Sequence, residues 1–178
     1  MERIWLKNYE PGVPADIDPD AFPSVAEVFE QSCGRFPDRD AFRCMGGSLT
    51  FAEFDARARD FAAYLQHELG LEKGERVALM MPNIMQYPVA LFGVLRAGLV
   101  AVNVNPLYTV RELEHQLRDS RPRAIVIVEN FCHTLADART RDLVDNVVVT
   151  GLGDMLGGFR APLVNFVVKH VKRMVPKW

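Results

Sequence analysis

The sequence predicts an open α/β fold, in which a mostly parallel sheet carries helices on both faces. Four short apolar runs, each followed or preceded by a helical segment, occupy residues 77–81, 99–104, 124–128 and 147–150. Because the runs are continuous rather than alternating, they are typical of strands that are covered on both faces in a parallel sheet. The length of 178 residues and the hydrophobic content of 49% suit one globular core and exclude disordered, collagen-like and coiled-coil chains.

Capping boxes predict where helices begin. In this motif a Ser or Thr hydroxyl accepts a hydrogen bond from a first-turn amide, and an acid three residues later accepts one from the amide of the capping residue. Four pairs have this spacing: Ser24/Glu27, Thr50/Glu53, Thr109/Glu112 and Thr134/Asp137. The last two predict helices over residues 110–120 and 134–143. A further helix is predicted over residues 83–97, where Pro88 falls close to the first turn and is tolerated.

Apolar stripes identify the buried faces of the two earlier helices. After Thr50 the stripe comprises Phe51, Phe54, Ala58, Phe61, Ala62, Leu65 and Leu69. Gly70 follows as the expected left-handed stop. After Ser24 the expected buried residues are Val25, Val28, Phe29, Cys33 and Phe36. In this interpretation Cys33 is a small core residue.

The chain divides into four predicted regions. Residues 1–23 form an N-terminal arm rich in Pro and Asp, and residues 24–150 form the α/β subdomain. Residues 151–162 are a glycine-rich linker, and residues 163–178 form a basic amphipathic helix. The linker begins with G-x-G after a strand, which suggests a dinucleotide site. Its spacing, G-x-G-x-x-x-G, departs from the fingerprint, so an unrelated nucleotide-binding domain is kept only as an alternative.

Charge and motifs exclude several classes of function. The formal net charge of −2 argues against a nucleic-acid partner. The three cysteines, Cys33, Cys44 and Cys132, are odd in number and lack C-x-x-C spacing, which argues against a disulfide or zinc framework. No P-loop, nucleophile elbow or zincin motif occurs, so we assign no catalytic, cofactor-binding or metal residue. The first residues lack an apolar signal sequence, from which we expect a cytoplasmic protein.

The end of the chain differs in charge from the rest. No acid follows Asp154, whereas five bases do: Arg160, Lys169, Lys172, Arg173 and Lys177. Without those five, 16 basic residues face 23 acidic ones, a balance of −7. If the segment is helical, one face carries Leu163, Val164, Val167, Val168, Val171, Met174, Val175 and Trp178.

This basic amphipathic segment has two interpretations that the sequence leaves open. It suits an anionic membrane surface. The residues predicted to contact the membrane are Lys169, Lys172, Arg173, Lys177 and Trp178. Alternatively, its apolar face packs on further parts of a larger protein.

Two segments resemble core signatures of the adenylate-forming, AMP-binding enzymes. Residues 49–54 (LTFAEF) resemble the first signature, and residues 95–98 (LRAG) resemble the second, with Arg96 in place of the usual Lys. In that family the signatures form a helix cap and a helix-to-strand turn. The residues that we therefore expect to be structural are Thr50, Glu53, Gly98, Pro106, Thr109 and Glu112. Five further segments resemble bacterial long-chain fatty acid–CoA ligases: residues 77–83, 86–92, 103–109, 111–117 and 164–169.

The resemblance implies a reaction that the complete enzyme performs in fatty acid metabolism. Fatty acid and ATP, with Mg²⁺, give acyl-adenylate and pyrophosphate, and coenzyme A then displaces AMP. In the family, the groups that hold ATP and the catalytic lysine follow the region matched here. The resemblance thus implies a non-catalytic N-terminal part of an acid–thiol ligase, cytoplasmic or peripheral on the inner membrane.

Two alternatives accompany this interpretation. The first is a stand-alone membrane-docking or interaction module. The second concerns the arm, which in some relatives is exchanged between the subunits of a homodimer; it could equally be a loosely attached surface segment.

Overall fold

A computed structural model describes residues 2–137 and 139–178. Met1, in the predicted arm, and Ala138, in the predicted helix 134–143, lie outside the described residues. The helices are α1 Val25–Arg35, α2 Phe51–Ala63, α3 Gln86–Arg96, α4 Val110–Ser120, α5 Cys132–Leu135 and α6 Arg160–Phe166. The strands are β1 Asp40–Cys44, β2 Gly47–Thr50, β3 Arg76–Met80, β4 Val100–Val104, β5 Ala124–Val128 and β6 Asn146–Thr150. Helices α2 and α6 each continue into a π-helical turn, Tyr64–Glu68 and Val167–Val171.

Strands β3 to β6 form the predicted parallel sheet, in the order β4-β3-β5-β6. Each of the four strands begins and ends within one residue of its predicted position. Helix α4 has the predicted bounds, and α3 begins three residues later than predicted, with Pro88 in its first turn. The continuous uncharged stretch 77–95 is therefore a strand, a turn and a helix.

Helices cover both faces of the sheet, which confirms the predicted architecture. On one face, Val77, Leu79 and Val126 pack against α3 and the end of α2. On the other face, Ile125 and Ile127 pack against α4 and α5. The predicted stop of the second helix is also confirmed, since Gly70 has a φ of +62°.

The two outer strands are less covered than their continuous apolar sequences predict. Strands β3 and β5 are buried along nearly their whole length. By contrast, Val100 of β4 is 47% exposed, and Val147 and Val149 of β6 are 49% and 41% exposed. The prediction that all four strands are covered on both faces is wrong for these two, because a strand at the sheet edge has a helix over only part of its surface.

The predicted helix 134–143 is wrong. Helix α5 ends at Leu135, and Thr134 lies inside it rather than capping it. The buried Thr140 hydroxyl, 0% exposed, donates to the carbonyl of Leu135 at 2.7 Å and lies 3.2 Å from that of Thr134. In a longer helix these two carbonyls would accept hydrogen bonds from backbone amides of the next turn. Here the Thr140 hydroxyl occupies them, and the helix does not continue.

The first helix is confirmed with corrections. Phe29 and Cys33 are buried, but Val25 and Val28 are exposed. Ser24 accepts from the Glu27 amide at 3.1 Å, whereas the Glu27 carboxylate accepts from Gln31 at 3.3 Å. Only one half of the predicted capping box therefore forms.

The structure also contains an antiparallel hairpin, β1–β2, that the sequence patterns did not predict. Its two-residue turn, Met45-Gly46, has positive φ at both positions, +47° and +75°. Such a turn matches the twist of paired strands, and Asn-Gly or Gly-Gly is its usual signal. Because Met45 stands where Asn or Gly is usual, the sequence does not show this turn signal.

The arm before α1 lies on the surface, and an ion pair between Arg3 and Asp16 at 2.7 Å joins two parts of the arm itself. Its large apolar side chains are exposed: Ile4, Trp5, Tyr9, Val13, Ile17 and Phe22. Exchange of this arm in a homodimer stays a prediction. None of the helices in the described part of the chain combines the length and apolar character needed to cross a bilayer.

Candidate functional site

The carboxyl edge of the parallel sheet is the place where open α/β folds bind ligands. Here the four strands are followed by Met81, Asn105, Glu129 and Gly151. A loop or turn begins at three of these positions. The segment that follows β6 folds back over this edge and contacts the end of β5. We therefore describe the candidate site by the contacts that this segment makes with the sheet edge.

A hydrogen-bonded latch holds the loop after β6. Asp154 accepts from the Thr150 hydroxyl at 2.9 Å and from the Gly151 amide at 2.7 Å. The Asn165 side chain donates to Asp154 at 2.6 Å and accepts from the Gly153 amide at 2.7 Å. From α3, the buried Gln86 donates to the Gly151 carbonyl at 2.8 Å. Loop, sheet edge and α6 are thus joined by side chains with fixed partners.

The glycines of this loop allow α6 to approach closely. A Cβ atom at Gly153 would lie 2.7 Å from the Ala161 carbonyl oxygen, and one at Gly151 would lie 2.9 Å from Asn165. Helix packing thus explains these glycines. Because the loop amides of Gly151 and Gly153 already donate to Asp154 and Asn165, the loop does not present them to a dinucleotide.

The C-terminal segment continues across the end of β5. Lys169 pairs with Glu129, and Asn130 donates to the Met174 carbonyl at 2.9 Å. Helical structure ends at Val171, and Arg173 has a φ of +51°. The single helical face expected to reach Trp178 is therefore wrong beyond that point.

The structure places the predicted membrane-contact residues on the surface: Lys169, Lys172, Arg173, Lys177 and Trp178. They do not form one face. Lys169 is directed to Glu129, whereas Trp178, 59% exposed, lines a pocket of about 420 Å³ with Cys132 and Val147.

The capping boxes predicted at Thr50 and Thr109 both form completely. Thr50 and Glu53 make a complete capping box, with bonds of 2.9 and 3.2 Å. Thr109 and Glu112 make the second, with the Thr109 amide donating to Glu112 at 2.8 Å. These residues fix the starts of α2 and α4.

We expect the Glu112 box to make the stability of the fold depend on pH. Hydrogen bonds from the Thr109 amide and hydroxyl hold the pKa of Glu112 below its ordinary value of 4.5. A lowered pKa stabilises the fold above the unfolded-state value, and this contribution disappears as pH falls through the folded-state value. We expect Glu112→Gln to lower the urea midpoint at neutral pH, with the difference shrinking below pH 4.5. Thr109→Ser, which keeps the hydroxyl, is the control; an equal midpoint for E112Q and wild type at neutral pH would contradict the prediction.

Gly98 lies in the helix-to-strand turn between α3 and β4, and Pro106 lies in the turn after β4. Gly98 has a φ of +75°, and its carbonyl accepts from the Gly74 amide at 2.9 Å. Pro106 lies in a turn in which the Tyr108 amide donates to the Asn105 carbonyl at 3.1 Å. Both residues shape the backbone around β4, and their assignment as purely structural residues stays a prediction.

The cysteine and histidine residues near the edge do not form a nucleophile pair. Burial, then the Glu129 charge, raises the pKa of Cys132 to about 11, so its thiol is protonated at neutral pH. His133 is exposed, and its Nδ1 lies 3.2 Å from the Asn130 carbonyl. Burial likewise raises the pKa of Cys33 to about 11. These thiols are core residues.

The edge offers few groups for a cofactor or metal. Its two carboxylates, Glu129 and Asp154, are paired with Lys169 and with the latch. Among the described residues, no three His, Cys, Asp or Glu side chains come together as a metal site would need.

Sequence patterns missed the latch residues Gln86, Asp154 and Asn165 and also Asn130, which bonds to the C-terminal segment. The one available signal was that Asp154 is the last acid of the chain and stands three residues after Gly151, a spacing typical of a side chain that caps a turn. The contacts of Gln86 and Asn130 span 65 and 44 residues, and no local pattern contains them.

Comparison with known proteins identifies the family. The family model described as AMP-binding enzyme matches residues 29–160. The chain is 58% identical over 178 residues to a long-chain-fatty-acid–CoA ligase of Yersinia pestis and 52% identical to one of Haemophilus influenzae. Each match covers 100% of this chain and 32% of the relative, so the chain spans about a third of the length of these relatives.

The solved structure of a benzoate CoA ligase from Burkholderia xenovorans LB400 has a TM-score of 0.64 and 28% identity. The match covers 70% of this chain and 25% of that protein. Sequence and fold agree, and the chain belongs to the family of AMP-binding enzymes.

Proposed function

We propose that this chain is the N-terminal scaffold of a long-chain fatty acid–CoA ligase. The observation that carries the proposal is the 58% identity over all 178 residues to the Yersinia pestis ligase. The similarity runs through arm, sheet and α6 alike. A stand-alone docking module therefore gains no support.

The proposed reaction of the complete enzyme has two steps. The fatty acid carboxylate attacks the α-phosphorus of ATP, with Mg²⁺, forming an acyl-adenylate and releasing pyrophosphate. The thiol of coenzyme A then loses its proton and attacks the acyl carbon, and AMP leaves. ATP supplies the adenylyl group, and the resulting mixed anhydride with AMP makes the carboxylate a good acyl donor.

In this proposal the described residues contribute structure to the enzyme and make no contacts to ATP or Mg²⁺. ATP phosphates and Mg²⁺ require free amides, cations or carboxylates. At the sheet edge those of Gly151, Gly153, Asp154 and Glu129 already have partners within the chain. The residues present do not fit these groups, and we propose that other parts of the complete enzyme hold them.

A chimeric enzyme tests the proposal. In it, the 178 residues replace the aligned third of the Yersinia pestis ligase. We expect the chimera to form long-chain acyl-CoA from fatty acid, ATP and coenzyme A, because the scaffold retains its shape. The 178-residue chain by itself should show no acid-dependent ATP–pyrophosphate exchange.

Two outcomes would overturn the proposal. A chimera that melts cooperatively but does not activate long-chain acids would refute the ligase scaffold. Exchange by the isolated chain, free of host ligase, would refute its non-catalytic role. A chimera carrying Gly34→Ala, a change on the open surface of α1, is the matched control and should remain active.

A further inference from the structure

The face of the sheet that carries α4 and α5 is open over its outer strand, β6. Ile125 and Ile127 of β5 are buried on this face, and their partners in β6 are Val147 and Val149. Paired residues of neighbouring strands lie on the same face of a sheet, yet these two valines are 49% and 41% exposed. Helix α5 has only four residues, Cys132–Leu135, which is too short to cover both strands. A pocket of about 420 Å³ lies beside its end.

Apolar side chains form most of the wall of this pocket. They come from α5 and its end, from β6 and from the C-terminal segment: Cys132, Leu135, Ala136, Val147 and Trp178. The Asn130 side chain holds the C-terminal segment near the pocket by donating to the Met174 carbonyl at 2.9 Å. A concave site of this volume with mostly apolar walls is typical of sites that bind small organic molecules.

One charged residue, Arg141, completes the wall of the pocket. Among the described residues that line the pocket there is no acid. Arg141 is exposed, and it takes part in none of the ion pairs in the described part of the chain. A guanidinium donates two parallel hydrogen bonds to a carboxylate, and this geometry favours carboxylates over other small anions of one charge. The pocket therefore combines an apolar wall with one unpaired cation.

We propose that this pocket binds one alkyl carboxylate of medium length, with its carboxylate on Arg141 and its alkyl chain against Val147 and Trp178. The apolar wall removes the alkyl chain from water, which supplies the driving force for binding. The single cation matches the single charge of the acid. A neutral alcohol would leave Arg141 without a partner, and a phosphate dianion would meet only one positive charge.

The short helix α5 has a role in this proposal. The Thr140 hydroxyl ends the helix by accepting no further turn on the carbonyls of Thr134 and Leu135, and this leaves the space over β6 open. The inference adds a ligand site to the described chain. It does not rest on the proposed ligase reaction, because binding of the acid needs neither ATP nor coenzyme A, and activity of the chimera is a separate result.

Tryptophan fluorescence of the 178-residue chain tests the site with decanoate as the probe. The chain has two tryptophans, so Trp5→Phe leaves Trp178, which lines the pocket, as the only indole. We expect decanoate, added below its micelle-forming concentration, to shift the Trp178 emission to shorter wavelength and to saturate. Isothermal titration calorimetry should give one acid per chain. Decanol, which has the same alkyl chain without the charge, should bind about tenfold more weakly.

Two variants of the pocket, each with a matched control, locate the bound acid. Arg141→Gln should weaken decanoate binding about tenfold and abolish the preference for decanoate over decanol. Val147→Ser should weaken the binding of both ligands about fivefold, because it removes part of the apolar wall. The controls are Arg57→Gln, an exposed cation of α2, and Val100→Ser in the other outer strand, where Val100 is 47% exposed. Both controls should bind decanoate as the Trp5→Phe parent does, and circular dichroism verifies that each variant is folded.

Three results would overturn the proposal. The first is decanoate binding that Arg141→Gln leaves unchanged, which means that the carboxylate is not on this cation. The second is equal weakening by Val147→Ser and Val100→Ser, which means that the acid adsorbs on exposed apolar side chains in general. The third is the absence of both a saturable change in Trp178 emission and a measurable heat of binding.

Discussion

Gly93→Val is expected to destabilise the fold by about 3 kcal/mol, because it places branched carbon atoms where α2 crosses α3. Gly93 is buried in α3. Even a single Cβ atom there would lie 2.7 Å from Cδ1 of Phe61 and 3.1 Å from the Ala58 carbonyl oxygen. The first neighbour is a ring that is itself packed on the core, and the second is backbone. Neither can retreat without separating the two helices.

Urea unfolding followed by circular dichroism measures this effect, and Gly34→Ala is the matched control. Gly34 is also helical, but a Cβ atom there meets nothing within 4 Å. Its replacement should stabilise the fold by about 0.5 kcal/mol through helix propensity alone. Opposite signs for the two glycines are the expected result; a G93V variant as stable as wild type would show that the helices do not cross here.

The parts of this fold that local chemistry determines were predicted well. The boxes at Thr50 and Thr109 involve residues three apart, so a sequence pattern contains the whole interaction. The interior strands β3 and β5 were equally clear, since burial on both faces demands apolar residues throughout. In each case the sequence encodes the structure within a few positions.

The errors in the predicted fold arise where contacts outside the local sequence pattern determine the structure. Helix α5 stops because the Thr140 hydroxyl returns to carbonyls five and six residues earlier, a competition that helical periodicity does not register. The outer strands β4 and β6 have the same apolar character as the interior ones, and only the sheet order makes them edges. Sequence alone does not specify that order.

The candidate site was predicted in outline only. The absence of a complete catalytic motif left the site without assigned residues, and the resemblance alone implied an N-terminal part of an adenylate-forming enzyme. The latch of Asp154 and Asn165 depends on how α6 packs after the glycine loop. The same packing decides which apolar side of α6 faces the core. The sequence pattern of the segment is compatible with burying either side, and only the contacts of the folded chain decide between them.

Arg96 is the clearest case of a signature residue whose role the structure supplies. It occupies the position of the usual Lys in the second signature, and its guanidinium joins three helices. It donates to Asp55 Oδ1 of α2 at 2.7 Å and to Glu30 Oε1 of α1 at 3.0 Å. It also lies 5.3 Å from the ring centre of Phe29. Burial opposes its charge, but the bonds to Asp55 and Glu30 outweigh burial and raise the pKa of Arg96.

Arg96→Met is therefore expected to cost about 2 kcal/mol of stability, because it leaves the partly buried Asp55 with the exposed Arg59 as its remaining ion-pair partner. The side chains of Arg96 and Asp55 are only 17% and 21% exposed, so solvent replaces the lost bonds incompletely. Arg96→Lys should cost about 1 kcal/mol, since an ammonium cannot reproduce the fork that reaches both carboxylates. Urea unfolding of the three proteins measures both differences.

Arg118→Met provides the comparison for an exposed ion pair. Arg118 pairs with Glu114 at 3.1 Å along α4, with its side chain 59% exposed, and its loss should cost less than about 0.5 kcal/mol. A double-mutant cycle of Arg96→Met with Asp55→Asn should give a coupling of about 1 kcal/mol that persists in high salt, because a partly buried pair is weakly screened. If R96M and R118M lower the free energy of unfolding by the same small amount, apolar packing alone holds α1, α2 and α3 together. The ion pairs of Arg96 would then contribute no more to stability than an exposed pair does.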